Sequence, residues 1–257
     1  MSDQRPWRRA LRIAAGVTVA VVMAATVRDL ARDSEPSLEG SSPDLTTPSP
    51  TAPSQSRDPS APLLVDLIVS DADVGPSLTV AGLPGGNGLS QPTLDLCNGT
   101  YPSEDRRTAR LQVRAVDNLG ETALSTEAVL YSSGADTANA FTELKRTAEA
   151  CPTGPVDSPV GLPTVTTRFR PAPDADWPQA PSVERLAFAF DTIDDGGDST
   201  YSVAVYLRRG RALLGVYFSH ADAPTAVVEG KTALGEIVNV FAARLAKLPV
   251  AAISTTA

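Results

Sequence analysis

Residues 183–219 read VERLAFAFDTIDDGGDSTYSVAVYLRRGRALLGVYFS, and the period of this stretch decides the fold. Leu186, Phe188 and Phe190 alternate with Arg185, Ala187 and Ala189, and Tyr201, Val203, Val205 and Leu207 alternate with Ser202, Ala204 and Tyr206. A period of two belongs to the pleated strand, whose successive side chains point to opposite faces. Strands are therefore predicted over 183–191, 200–207 and 211–219. The Asp and Gly residues of 191–198 supply turn geometry between the first two, and Arg209-Gly210 turns the chain into the third. The three form an antiparallel meander.

Upstream, 107–117 sets Leu111, Val113 and Ala115 against Arg110, Gln112 and Arg114, and 124–132 carries Leu124, Ala128, Val129, Leu130 and Tyr131. Asp117-Asn118-Leu119-Gly120 between them is hairpin-turn chemistry. In 135–150 the spacing changes: Ala138, Phe141, Leu144 and Ala148 recur at three or four, which predicts an amphipathic helix stopped by Pro152. A second helix is predicted over 224–247. Pro224 sits in its first turn, Val227, Leu234, Ile237, Val238, Phe241, Leu245 and Leu248 share one face, and Pro249 ends it. Residues 70–75 read as a brief capped helical turn and 83–92 as a Gly-rich loop. The Pro-rich stretch 152–181 around Trp177 is either a long surface connection or the cover of one sheet edge. The order of elements predicts an α+β fold: an antiparallel sheet of about five strands covered on one face by two helices, preceded by a single transmembrane or signal helix.

That leading helix is read from 13–32. Arg5, Arg8, Arg9 and Arg12 face only Asp3 in the first twelve residues, and an unbroken apolar run follows over 13–27. Positive charge before an apolar run is the positive-inside signal, and the run sits at the short limit for crossing about 30 Å of hydrocarbon. Its length leaves an uncleaved anchor and a cleaved signal peptide both open. Val22-Met23-Ala24 suits a peptidase, whereas Arg28 and Arg32 directly after the run favour an anchor. Residues 1–12 then read as a cytoplasmic N-terminus. Residues 33–62, with seven prolines and no aromatic residue, read as a disordered Pro/Ser/Thr-rich stalk with a reach of up to roughly 90 Å. Residues 63–250 form an extracytoplasmic domain and 251–257 a tail. The expected location is the cell membrane, single-pass with the C-terminal domain outside, or else secretion. Outside the reducing cytoplasm Cys97 and Cys151, the only two cysteines, are expected to pair.

Composition narrows the chemistry. With 22 Lys and Arg against 30 Asp and Glu, the net charge of -8 argues against a nucleic-acid partner. One His and two Cys exclude most zinc ligand sets, and no metal or cofactor is expected. A nucleophile–histidine mechanism would have to use His220, but its neighbour Ser219 would point to the opposite face of a strand, so the chain reads as non-enzymatic. The four carboxylates of 191–198 lack EF-hand spacing. Gly230-Lys231-Thr232 lacks the leading glycine of a phosphate loop and falls inside a predicted helix. Asn98-Gly99-Thr100 is a formal glycosylation sequon. The remaining candidate is a sheet face. Arg110 and Arg114 share one with Gln112, and Arg185, Tyr206 and Tyr217 are expected to join them. Such a face suits a ligand, although a solvated face gives the same pattern.

The short N-terminal piece, the apolar run, the stalk, LVDLIVSDADVGPS over 64–77, a Cys before the first strand and the helix ending Ala150-Cys151-Pro152 together resemble a family. They are similar to actinobacterial extracytoplasmic sensor domains of the type on the mycobacterial serine/threonine kinase PknH, which also occur without a kinase. Arg-rich usage, with only Lys145, Lys231 and Lys247, suits such a source. The resemblance spans roughly 63–248 and implies an α+β domain with a ligand cleft beside its sheet. This chain departs from it in offering one disulfide instead of two and in having no kinase domain. The expected function is a non-enzymatic, sensor-like cell-envelope protein binding a small molecule, a wall fragment or an envelope protein. The alternative is a structural or scaffolding partner of an envelope complex.

Overall fold

Seven strands form one antiparallel sheet, in the order β1-β2-β3-β7-β6-β5-β4, where the periodicity predicts about five. The computed structural model describes residues 56, 58–157 and 164–254. The strands are β1 Thr79–Gly82, β2 Arg107–Val116, β3 Thr122–Tyr131, β4 Thr166–Arg170, β5 Glu184–Ile193, β6 Ser199–Arg209 and β7 Ala212–Phe218. Two meanders, β1 to β3 and β4 to β7, join where β3 pairs with β7. The two added strands are the edges. β1 has four residues, too few to display a period, and its outer side is closed by Asp71 Oδ1 accepting from the Val80 N–H at 2.9 Å. β4 lies inside the Pro-rich stretch and carries a single apolar side chain, Phe169. It becomes a strand by pairing with β5 from Thr166↔Ile193 to Arg170↔Ala189, so this stretch does cover a sheet edge.

The helices α1, Gly134–Glu149, and α2, Leu234–Ala246, lie on opposite faces of the sheet, not on one. Alternation explains this correction. Val203, Val205 and Leu207 pack with Ile237, Val238, Phe241 and Leu245 of α2, while Ala204 and Tyr206 pack with Ala140, Phe141 and Leu144 of α1. Strands apolar on both faces need a cover on each. The Ser133 hydroxyl starts α1 by accepting from the Asp136 N–H and donating to Asp136 Oδ2 at 2.6 Å. α2 is shorter than predicted and begins at Leu234. Glu229 (φ 49°) and Gly230 (φ 73°) are consecutive left-handed residues, which a right-handed helix cannot accommodate. Residues 70–75 form a turn, with Asp73 Oδ2 accepting from the N–H and hydroxyl of Ser70, and Arg244 of α2 pairs with Asp73 at 2.6 Å.

The folded part reaches back beyond Leu63. A 3-10 turn at Ala61–Asp66 places Leu64 in the α2-side core, and Asp58 is a buried partner of Arg211. The Arg211 guanidinium donates to both Asp58 oxygens, at 2.5 and 3.0 Å, to the Tyr131 carbonyl at 3.1 Å and to the Ala252 carbonyl of the short α3, Val250–Ile253, at 2.9 Å. Burial pushes the Asp58 carboxyl up, but hydrogen bonds from Arg211, Thr108 and Ser60 outweigh it and hold it at about 2. The cytoplasmic piece, the apolar segment, nearly all of the stalk and 255–257 lie outside the described residues. Among the described residues, no helix is long and apolar enough to cross a membrane, and none corresponds to the expected leading span.

Candidate functional site

Antiparallel pairing lines up the α1-side face in rows. One row is Gln112, Glu127, Gly215, Tyr206 and Leu186, and the next is Arg114, Ser125, Tyr217, Ala204 and Phe188. At the centre of the first row Glu127 Oε1 accepts from Arg110 Nε at 2.5 Å and from the Thr93 hydroxyl at 2.8 Å, both groups buried. Arg110 donates further to Gln112 Oε1 at 2.6 Å and to the Gly85 carbonyl at 3.1 Å. Arg107 holds the Leu89 and Gln91 carbonyls, each at 2.7 Å, and pairs with Glu104 at 3.0 Å. The two arginines thus clamp the Gly-rich loop to the sheet. That loop turns carbonyls toward them, which is the wrong polarity for cradling an anion. Burial pushes the Glu104 carboxyl up to about 7, against the opposing pull of Arg107 and the Thr93 and Leu94 N–H groups.

Gly215 makes this packing feasible. A Cβ there would lie 2.1 Å from the Tyr217 hydroxyl oxygen, so only glycine lets the ring lie back along its own strand toward Glu127. The Tyr217 hydroxyl comes within 3.5 Å of Glu127 Oε2, and its ring stands edge-on to Tyr206 at 5.8 Å. Tyr206 continues to Phe188 at 6.3 Å, Phe188 to Phe169 at 5.9 Å, and Phe169 to Phe190 at 5.8 Å. Burial pushes the Tyr131, Tyr206 and Tyr217 hydroxyls well above the usual phenol range, so they stay neutral.

The structure brings four of the five sequence-named residues to one face and removes the fifth. Arg110, Tyr206 and Tyr217 are fully buried, and Arg114 is half-buried on the same face. Arg185 is on the α2 side, opposite Leu207, because it stands an odd number of residues from Leu186 and Phe188. There it donates to Asp174 Oδ2 at 2.8 Å and to the Pro178 carbonyl at 2.7 Å, pinning the Pro-rich connection.

Six side-chain atoms on the α1-side face are buried without a hydrogen-bond partner: Arg114 Nε, Tyr131 Oη, Thr192 Oγ1, Ser202 Oγ, Tyr206 Oη and Arg208 Nε. Thr192 and Ser202 are 2% and 3% exposed and flank Phe190, with Ser202 directly opposite it on β6. Folded proteins pair the large majority of such atoms, so the two neighbouring hydroxyls of Thr192 and Ser202 mark where hydrogen-bonding capacity waits for a partner. The outer side of this region is formed by half-buried Phe169, Leu186 and Phe188. Sequence reading missed Thr192 and Ser202, although both break an otherwise apolar alternation. It missed Glu127 for the same reason.

The other features stand apart. Cys97 and Cys151 form the expected disulfide, tying the end of α1 to the turn at Leu96–Asn98. Beside it runs a groove of about 460 Å³, lined by Cys97, Asn98, Thr100, Arg146, Thr147 and neighbours. Cys97 and Asn98 are both left-handed there (φ 54° and 52°), but Asn98, Thr100 and Arg146 are exposed and no buried polar group converges on the groove. Ser219 is buried while His220 is exposed in a left-handed turn, so they form no catalytic pair. The 191–198 carboxylates cap a hairpin, with the Asp198 N–H donating to Asp194 Oδ1 at 2.8 Å.

No family model and no curated protein matches the chain. Among solved structures, the extracellular domain of PknH from Mycobacterium tuberculosis aligns with it at 13% identity, over 67% of this chain and 77% of that one, with a TM-score of 0.36. The expected family resemblance is met only as this weak likeness, which assigns neither family nor ligand.

Proposed function

We propose that the chain is a non-catalytic binding domain that works outside the cytoplasm and takes a small molecule or wall fragment on the α1-side face of its sheet, beyond the helix. The apolar lining is the half-buried Phe169, Leu186 and Phe188, and the hydrogen-bonding groups beside them are Ser202 and Thr192. The observation that carries this reading is the set of buried, unpartnered polar atoms on one face. An aromatic floor with a few convergent polar groups is the usual make-up of a ligand site. The disulfide supports an oxidising compartment. The apolar run at 13–27 supports retention at the envelope.

Ser202→Ala and Thr192→Val test the site cleanly, because neither removes a hydrogen bond and both are expected to melt no lower than the parent. Wall fragments, lipids and metabolites are titrated against the thermal stability of the full chain. A ligand at a hundred times its Kd raises stability by about 2.7 kcal/mol. The expected result is a rise in the parent that is largely lost in both variants. An equal rise in parent and variants would place the ligand elsewhere, and no rise with any compound would count against a small-ligand function.

A further inference from the structure

The two edges of the sheet are finished differently. β1 is closed by Asp71, whose Oδ1 accepts from the Val80 N–H. Along β4 the N–H and C=O groups of successive residues point alternately toward β5 and away from it. Val165, directly before the strand, exchanges both its bonds with Val156, at 2.8 and 3.1 Å, and Val156 lies outside β5. Thr167 and Phe169 follow Val165 at intervals of two, so their N–H and C=O groups point to the same outer side. There the ladder stops: among the described residues, no backbone group bonds to that side of Thr167 or Phe169. Open main-chain groups on an edge strand are the template that an incoming strand uses.

The side chains of β4 divide between the faces. Phe169 is half-buried on the α1 side, edge-on to Phe188 at 5.9 Å. Arg168 and Arg170 lie on the other side. Arg170 donates to both Asp191 oxygens, at 2.5 and 2.7 Å, and stands 4.4 Å over the Tyr201 ring. Arg168 is exposed, and among the described residues no ion pair reaches it. This unpaired cation selects what can add to the edge. In a two-fold pairing of β4 with a second copy through Thr167 and Phe169, the two Arg168 side chains fall opposite each other, and like charges so placed repel. An acid at that position is attracted instead.

We propose that the β4 edge is a strand-addition site for an extended acidic segment of a partner protein. The segment runs antiparallel to β4, its main chain exchanges bonds with Thr167 and Phe169, its carboxylate lies beside Arg168, and an apolar side chain next to that acid lies against Phe169. The site stands on main-chain groups and on Arg168, so it goes beyond the reading of the Ser202 and Thr192 region and does not depend on it.

The test uses the full chain labelled with 15N and the blocked peptide acetyl-Thr-Val-Glu-Val-Thr-amide. One control peptide carries Lys in place of Glu, and another is N-methylated at both valines, which removes the donors that face β4. The Glu peptide is expected to move the Thr167 and Phe169 amide resonances saturably and to slow their hydrogen exchange. The Lys peptide should bind about tenfold more weakly and the methylated peptide not at all. Arg168→Glu is expected to reverse the order of the Glu and Lys peptides while melting with the parent, since Arg168 is exposed and loses no partner. If the parent takes both peptides alike, or Arg168→Glu keeps their order, the acidic class is overturned. If no peptide moves the two amides, or the methylated peptide binds as well as the Glu peptide, strand addition is overturned, and the Ser202→Ala and Thr192→Val titrations still decide the α1-side face separately. Movement of the same amides with rising protein concentration alone would give the edge to a second copy and overturn the proposal.

Discussion

Glu104 shows what one buried carboxylate does to the stability of the fold. Its oxygens accept from the Thr93 N–H at 2.8 Å and the Leu94 N–H at 3.2 Å, and the side chain is 15% exposed. Burial raises its pKa from the ordinary 4.5 to about 7, so the folded state holds this proton more tightly than the unfolded chain does. The associated stabilisation is therefore complete below 4.5 and is lost as pH rises through about 7. Denaturant melts between about pH 5 and about pH 8 should show stability falling with pH, and Glu104→Gln should flatten the curve. A slope unchanged in the variant would remove Glu104 as its source. At this scale the sequence displayed arginines and tyrosines but not their partners. Arg110 and Arg114 look equivalent in the alternation, and only the fold gives one Glu127 and leaves the other bare.

At the scale of elements, the disulfide closes a loop of 54 residues running through β2, β3 and α1. Chain entropy predicts that it stabilises the fold by about 4 kcal/mol, toward the upper end of what such bridges deliver. Reduction, or Cys97→Ala with Cys151→Ala, should lower unfolding free energy by up to that amount while leaving a cooperative transition, because the sheet pairing does not depend on the bridge. Loss of cooperativity would mean that the bridge organises the sheet itself. The five longer strands, α1 and the hairpin at Asp117 were legible because each displays its own period or turn chemistry. The edge strands were not: β1 is too short, and β4 is a strand only because β5 offers it hydrogen bonds. Residues 224–233 looked helical because a run of apolar residues with Pro224 at its head satisfies the helical spacing, whereas the Glu229 N–H bonded to the Asp73 carbonyl at 2.8 Å fixes a different backbone.

The whole molecule is tied at the point where the N-terminal segment meets the domain. Asp58, Tyr131, Arg211 and Ala252 bring together the first described residues, the sheet centre and the C-terminal turn in one buried cluster. A chain starting at Leu63, the boundary that composition suggests, leaves Arg211 buried without its carboxylate. Such losses cost about 3–5 kcal/mol, so that chain should be markedly less stable than one starting at Ser56, as urea unfolding of the two would measure. Equal stability would mean that Asp58 is not the partner that matters. Prolines around Asp58 hide it in the sequence, because composition describes a segment's average and a single buried ion pair is not an average property. By itself the sequence determined the period-two strands, the amphipathic α1, the acidic surface charge and the pairing of two cysteines, since each follows from local spacing or from there being one choice. Only the tertiary structure decided that the helices take opposite faces, that Arg185 leaves the site and that the Ser202 and Thr192 hydroxyls and Arg114 Nε are buried without partners. Those outcomes depend on which residues the sheet register sets side by side, and register is fixed by contacts between segments far apart in the chain.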